Sequence, residues 1–264
     1  MLNNDRDEAA LPQPLISLTS DCRWRRITIG MSASRTYRLS RGQEASYLKV
    51  QSMEAGGCLL DEKDRIQWLQ GKLPVPELLY YDRDESNEYL LLSEVAGLIA
   101  SDKAHEAMLP QLMAQLAVGL KAVHAVDITD CPFDRTLGKV LEEARQRTEQ
   151  GLVDEDDFDE ERQGMSAAAI YQQLLENRPQ AEELVFTHGD YCLPNIILHK
   201  GKVSGLIDWG RAGIADKYQD LALAVRSIAH NFGEGHVSAF LEAYGLQEAD
   251  KAKLEYYKLL DEFF

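Results

Sequence analysis

Cysteine is scarce: Cys22, Cys58, Cys131 and Cys192 are the only four in 264 residues, and no two form a C-x-x-C pair. Such spacing supplies neither a zinc site nor a disulfide framework and fits a reducing compartment. Long apolar runs are missing too. The longest uncharged stretch, Ala107 to Leu120, has 14 residues and contains Pro110, too short to cross a bilayer. The opening residues MLNNDRDEAA are polar and acidic, with no apolar segment behind a basic start, so no signal peptide is expected and the protein is placed in the cytoplasm. Positive charge is the last shortage. Lys and Arg number 28 against 44 Asp and Glu, a formal net charge of −16. Phosphate backbones and anionic lipid attract basic surfaces, so neither nucleic acid nor membrane is expected as a partner. The carboxylate excess suits a small cationic ligand, although acidity also serves solubility alone.

What remains is an ordinary globular composition, 45% hydrophobic and 27% charged, with enough chain for one or two compact domains. Residues 1–20 read as a polar lead-in holding Pro12 and Pro14. Strand-like runs follow at Trp24–Ile29, Arg35–Ser40 and Ser46–Gln51, separated by turn material. Leu59, Leu60, Ile66 and Leu69 then set a helix over about 58–72, and two further strands read at Glu77–Tyr81 and Glu88–Val95. Past Gly97 the grammar changes. Leu109, Leu112, Leu116, Leu120 and Val123 mark one face of a helix. More helices are expected at about 136–150, 166–177, 216–231, 234–244 and 248–262, with short strands at Leu184–Thr187, Ile196–His199 and Val203–Ile207. The expectation is an α+β chain: a small β-rich part over residues 1–95, a five-stranded antiparallel sheet plus one helix, and a larger helical part over 96–264. A boundary near Ser93–Gly97 is where a ligand pocket is expected.

The strongest chemical signal is His188-Gly189-Asp190-Tyr191-Cys192-Leu193-Pro194-Asn195, followed by Ile207-Asp208-Trp209-Gly210-Arg211. An Asp, an Asn five residues on, and an Asp at a strand end have the spacing of a kinase catalytic loop and metal motif. Mg²⁺ ions that neutralise phosphate need hard oxygen ligands, which Asn195 and Asp208 offer. An acceptor hydroxyl needs a nearby carboxylate for its proton, and Asp190 suits that task. Either segment alone could be an ordinary turn; together they point to phosphoryl transfer. Lys49 shares a strand face with Tyr47 by alternation. A strand lysine that holds phosphates, fixed by a helix glutamate, belongs to the same chemistry, and Glu62 is the partner favoured over Glu54, Asp61 and Asp64.

These motifs, with Ile29-Gly30-Met31-Ser32, Leu91-Leu92-Ser93-Glu94-Val95, Gly151-Leu152-Val153-Asp154, Ala215-Asp216-Lys217-Tyr218-Gln219-Asp220 and the terminal Leu259-Leu260-Asp261-Glu262-Phe263-Phe264, resemble the aminoglycoside 3′-phosphotransferase family over nearly the whole chain. The resemblance implies a two-lobed protein-kinase-like fold. It also implies transfer of the γ-phosphoryl group of ATP, with GTP not excluded as donor, to the 3′-hydroxyl of an aminoglycoside with Mg²⁺. It matches Asp190 to the catalytic base, Lys49 to the phosphate-binding lysine, Glu62 to its partner, and Asn195 and Asp208 to the metal ligands. Ser32 matches the loop over the phosphates, Tyr47 an aromatic stacked on adenine, and Ser93 to Val95 the linker that hydrogen-bonds the base. The sequence departs from protein kinases in having no G-x-G-x-x-G at Gly30, and Tyr191 stands where a smaller residue is common.

Aminoglycosides carry several ammonium groups and need distributed carboxylates. Residues 154–161 hold seven acids in eight positions, a run that without context reads as a solvated face. The resemblance matches Asp157, Asp159 and Glu160 to amine contacts, and Asp261, Glu262 and the carboxylate of Phe264 to a second set. Arg211 and Arg226 either order these acids beside the substrate or make structural ion pairs. Asp220 is expected to tie the catalytic loop to its helix. A monomer or weak homodimer is expected. The rival readings are a phosphotransferase for another hydroxyl substrate of choline, homoserine or macrolide type, which leaves the acidic loop unexplained, and a non-catalytic nucleotide-binding regulator.

Overall fold

The computed structural model describes residues 11–28, 34–53 and 58–264. The chain divides into two compact units: Met1–Ala96 with Gly205–Gly210, and Gly97–Ser204 with Arg211–Phe264. The segment bearing Asp208 thus belongs to the first unit although it lies late in the sequence.

In the first unit, helix α1 (Gln13–Thr19) precedes strands β1 (Arg23–Ile27), β2 (Arg35–Arg41) and β3 (Glu44–Ser52). Helix α2 (Leu59–Leu69) follows, then β4 (Leu78–Arg83) and β5 (Asn87–Ser93). The strands form one antiparallel sheet in the order β1-β2-β3-β5-β4. Leu48 and Val50 of β3, Tyr37 and Leu39 of β2, and Tyr89 and Leu91 of β5 pack with Trp24, Leu11 and Leu15 into one core cluster. Alternation then turns Tyr47, Lys49, Glu88, Leu90 and Leu92 toward the opposite face of the sheet. Lys49 lies across from Leu90, and Glu88 from Gln51.

Helix α1 corrects the reading of residues 1–20 as a polar lead-in. Its prolines fall at Pro12, the N-cap, and in the first helical turn, where a missing N–H costs nothing. Leu15 and Thr19 are its buried residues, so a short stripe suffices to cover the sheet. The last residue of the expected strand Trp24–Ile29 lies outside the described residues, as do Ser32 and Glu54.

The second unit opens with β6 (Leu98–Ile99), then α3 (Leu109–His124), α4 (Leu137–Glu149) and α5 (Ala167–Glu176). Strands β7 (Leu184–Thr187), β8 (Ile196–His199), β9 (Lys202–Leu206, whose last two residues fall in the first unit) and β10 (Gly213–Asp216) follow, and then helices α6 (Tyr218–Phe232), α7 (Val237–Tyr244) and α8 (Lys251–Asp261). Strand β10 was unforeseen: it pairs antiparallel with β7, and its four residues are too few for periodicity to register. The stripe expected on α3 is buried at Leu112, Leu116, Leu120 and Val123. Of α6, ten residues from Tyr218 to Ile228 are buried, which makes it the central pillar of the unit. Among the described residues no helix is long and apolar enough to cross a membrane.

Candidate active site

In the first unit, Lys49 Nζ donates to both carboxylate oxygens of Glu62, at 2.9 and 2.7 Å, and stands 3.2 Å from Asp208 Oδ1. The lysine side chain is 15% exposed and that of Glu62 only 3%. Burial works against the lysine's charge, but Asp208 and Glu62 outweigh it and raise its pKa above the ordinary value. The ammonium therefore persists at any physiological pH. Burial pushes the Glu62 carboxyl up while Lys49 and the Trp209 backbone N–H pull it down. Asp208 sits at φ +65°, a left-handed conformation that a non-glycine residue rarely adopts. It is held between Leu206, whose N–H donates to Pro74 O, and buried Trp209, whose indole N–H donates to Leu206 O at 3.0 Å. Gly205 has no room for a side chain, since a Cβ there would lie 2.7 Å from Val95 and 2.9 Å from Pro74 O.

The expected base-recognition segment is only partly open. Ser93 is committed to the residue just before β4: its N–H donates to Glu77 O and its Oγ accepts from Glu77 N–H. Glu94 N–H donates to Ala45 O, and its carboxylate pairs with Arg38 at 2.9 Å. Tyr47 is half-buried on the Lys49 face of β3.

In the second unit, the loop after β7 carries Asp190 and Asn195. Asn195 Nδ2 donates to Asp190 Oδ2 at 2.7 Å and to Asp190 O at 3.1 Å. That bond fixes the carboxylate's orientation and commits the amide nitrogen, so the amide oxygen of Asn195 is the atom suited to a hard cation. The loop is fastened to α6 in two places. Asp220 accepts from the N–H groups of His188 and Gly189 at 2.7 and 2.8 Å, and Ser227 Oγ accepts from Leu193 N–H at 2.9 Å. His124 of α3 also reaches Asp220, at 3.1 Å. Gly189 is at φ +83°, and a Cβ there would lie 2.2 Å from Arg211 O. The fully buried Tyr191 donates its hydroxyl to Leu116 O at 2.8 Å, and a Cβ added at Gly119 would lie 2.6 Å from the Tyr191 hydroxyl oxygen. The tyrosine next to Asp190 is therefore turned inward onto α3.

The acids divide into two groups. Asp261 is clasped by Arg211 at 2.6 Å and by Arg226 in a very short contact. Burial opposes ionisation of its carboxyl, but the two guanidinium groups overcome that and hold its pKa below the ordinary value. Arg162 Nη1 lies 2.9 Å from Glu262 and 3.1 Å from Asp159, and Asp159 N–H leans on the Glu262 carboxylate. Burial and the neighbouring Asp159 charge push Glu262 up to about 7 against the pull of Arg162. Three acids are thus matched by Arg162, Arg211 and Arg226. Asp157 and Glu160 differ, being exposed with no ion pair among the described residues. The acidic run is no loose tail: Phe158 is buried at 3% exposure, and Glu155 caps α5 through Ala167 N–H at 2.7 Å. The ring of Phe264 lies within 5.3 to 5.8 Å of the guanidinium groups of Arg135, Arg147 and Arg211. The sequence gives no signal for Arg162, because its partner Glu262 lies 100 residues away in the chain.

A buried lysine–glutamate pair with a left-handed aspartate beside it, and an Asp–Asn loop anchored to a central helix, are an arrangement suited to phosphoryl transfer. The model of the phosphotransferase enzyme family matches residues 23–257. An aminoglycoside 3′-phosphotransferase of Niallia circulans is 40% identical over 96% of this chain and 97% of its own length. One from Streptomyces fradiae is 36% identical over 91% and 95%. Among solved structures, a type VIII aminoglycoside 3′-phosphotransferase superposes with a TM-score of 0.85 at 37% identity, covering 95% of this chain and 97% of that one. A Streptomyces rimosus aminoglycoside phosphotransferase in complex with ADP and streptomycin gives 0.82 at 30% identity, covering 94% and 95%. The chain belongs to the aminoglycoside 3′-phosphotransferase family.

Proposed function

We propose that this protein transfers the γ-phosphoryl group of ATP to the 3′-hydroxyl of aminoglycosides of the kanamycin and neomycin type, and so inactivates these antibiotics in the cytoplasm as a monomer or weak homodimer. The observation that carries the reading is the Asp190–Asn195 loop: its carboxylate is oriented by an amide and its backbone is fastened to α6 at three N–H groups. Asp190 accepts the proton of the acceptor hydroxyl as the bond to phosphorus forms. Lys49 holds the donor phosphates in a fixed position, with Glu62 keeping its ammonium in place. Tyr47 stacks on the adenine, the backbone at Val95 meets its edge, and Ser32 closes over the phosphates.

Asn195 and Asp208 offer a neutral amide oxygen and a carboxylate, a donor set that fits Mg²⁺. Bound there, the ion would neutralise charge developing on the phosphate oxygens. On the acceptor side, Asp157 and Glu160 are free to meet ammonium groups, whereas Asp159, Asp261 and Glu262 reach the substrate from within their arginine network. Arg211 and Arg226 order that network beside Asp190. The test is a coupled assay of ADP release over a panel of aminoglycosides, choline and homoserine. Turnover with kanamycin or neomycin supports the proposal; turnover confined to the metabolic alcohols refutes it.

A further inference from the structure

Helix α2 carries Glu62 but begins without a cap of its own: Cys58, at the N-cap, makes no side-chain capping bond. The first N–H groups of a helix need outside partners. Here the N–H of Leu59 donates to Glu88 Oε2 at 2.8 Å, across 29 residues of sequence. Glu88 stands on β5, on the sheet face that also presents Lys49, and is 3% exposed. Its other oxygen accepts from Tyr81 OH at 2.7 Å and from the Cys58 thiol at 3.4 Å. Burial raises the pKa of both donors above the ordinary range, with Glu88 adding to it, so both keep their protons.

We propose that Glu88 is a positioning residue for the Lys49–Glu62 pair, acting through the start of α2. The inference rests on the reading of Lys49 as the phosphate-holding lysine. Burying a carboxylate is costly unless it is paired or well hydrogen-bonded, and the partners named for Glu88 are an amide, a phenol and a thiol. The carboxylate also faces the N-terminal end of α2, where the helix dipole favours an acidic group. Glu62 lies three residues past Leu59, about 4.5 Å along the axis. The sheet therefore grips one helical turn twice, by backbone at Leu59 and by side chain at Glu62. Release of the first grip lets the turn shift, and a shift of about an ångström stretches the 2.7 Å contact past hydrogen-bonding distance.

The test is steady-state kinetics of the full chain with ATP varied and kanamycin as acceptor. Glu88→Ala is expected to lower kcat/KM for ATP about tenfold, the scale of a lost helix cap, with the KM for kanamycin unchanged. Glu88→Gln, which keeps an acceptor oxygen, recovers most of that loss. Glu62→Gln combined with Glu88→Ala falls no lower than Glu62→Gln alone, because both act through one contact. A fall in melting temperature with kcat/KM for ATP intact overturns the proposal, as do multiplying effects in the double variant. Should Glu88→Ala not fold, the same cycle is read with Tyr81→Phe, and independence from Glu62→Gln again overturns it. Loss of effect at Lys49→Ala itself overturns the underlying reading and this inference together; an effect at Lys49 with none at Glu88 overturns this inference alone.

Discussion

Asp261→Ala measures how far the C-terminal acids stabilise the fold. The carboxylate is 9% exposed and shared by Arg211 and Arg226, whose side chains are 28% and 33% exposed. Removing one partner from a buried pair costs about 3–5 kcal/mol, because the remaining charge is left uncompensated. Both arginines retain some solvent, and Arg226 also has Asp159 at 3.7 Å, which lowers the expectation to about 2–3 kcal/mol. For a chain of this length, that corresponds to a drop in melting temperature of roughly 5–10 °C. The pH dependence has a definite sign. The folded-state pKa of Asp261 lies below its ordinary value, so the stabilisation is present above that ordinary value and fades as pH falls through the folded one. Wild type and variant should converge in acid. Thermal unfolding followed by circular dichroism between pH 3 and pH 8 reads this directly. A difference under about 2 °C at pH 7, or one undiminished at pH 3, would refute the reasoning.

Glu262 has the opposite sign: its pKa is raised to about 7, so its contribution is full below the ordinary glutamate value and is lost as pH rises toward 7. Glu262→Gln should therefore gain on wild type across that window, by at most about 3 kcal/mol; a melting-temperature difference that does not change with pH contradicts it. Gly189→Ala must force φ +83° and a 2.2 Å approach to Arg211 O. Its turnover should fall at least a hundredfold, on the order of the cost of misplacing catalytic groups, while near-normal activity would show that the loop tolerates rearrangement.

The strand and helix pattern was legible where a period repeats. Alternation at Tyr47 and Lys49, and the leucine stripe of α3, are local signals that packing then obeys. Helix α1 and strand β10 are too short to show a period, and the prolines of α1 read as breakers until their place in the first turn is known. The candidate loop was legible because Asp190 and Asn195, five residues apart, make their hydrogen bond within one turn of chain. The acidic run was legible from its residues as composition alone, and its individual positions only through the family resemblance. That Asp159 meets Glu262 across 103 residues, with Arg162 between them, follows from tertiary contacts that no local spacing encodes. The capping of α2 by Glu88 is of the same kind.

The central claim is that the Asp190 carboxylate takes the acceptor's proton while the donor phosphates are held elsewhere, by Lys49. Turnover and ATP affinity measured on Asp190→Ala test it most directly. The account expects kcat with kanamycin to drop by about two to four orders of magnitude, with the Kd for ATP within a factor of about two. Turnover close to that of the unaltered enzyme, or a collapse of ATP binding that accounts for the lost activity, would contradict it.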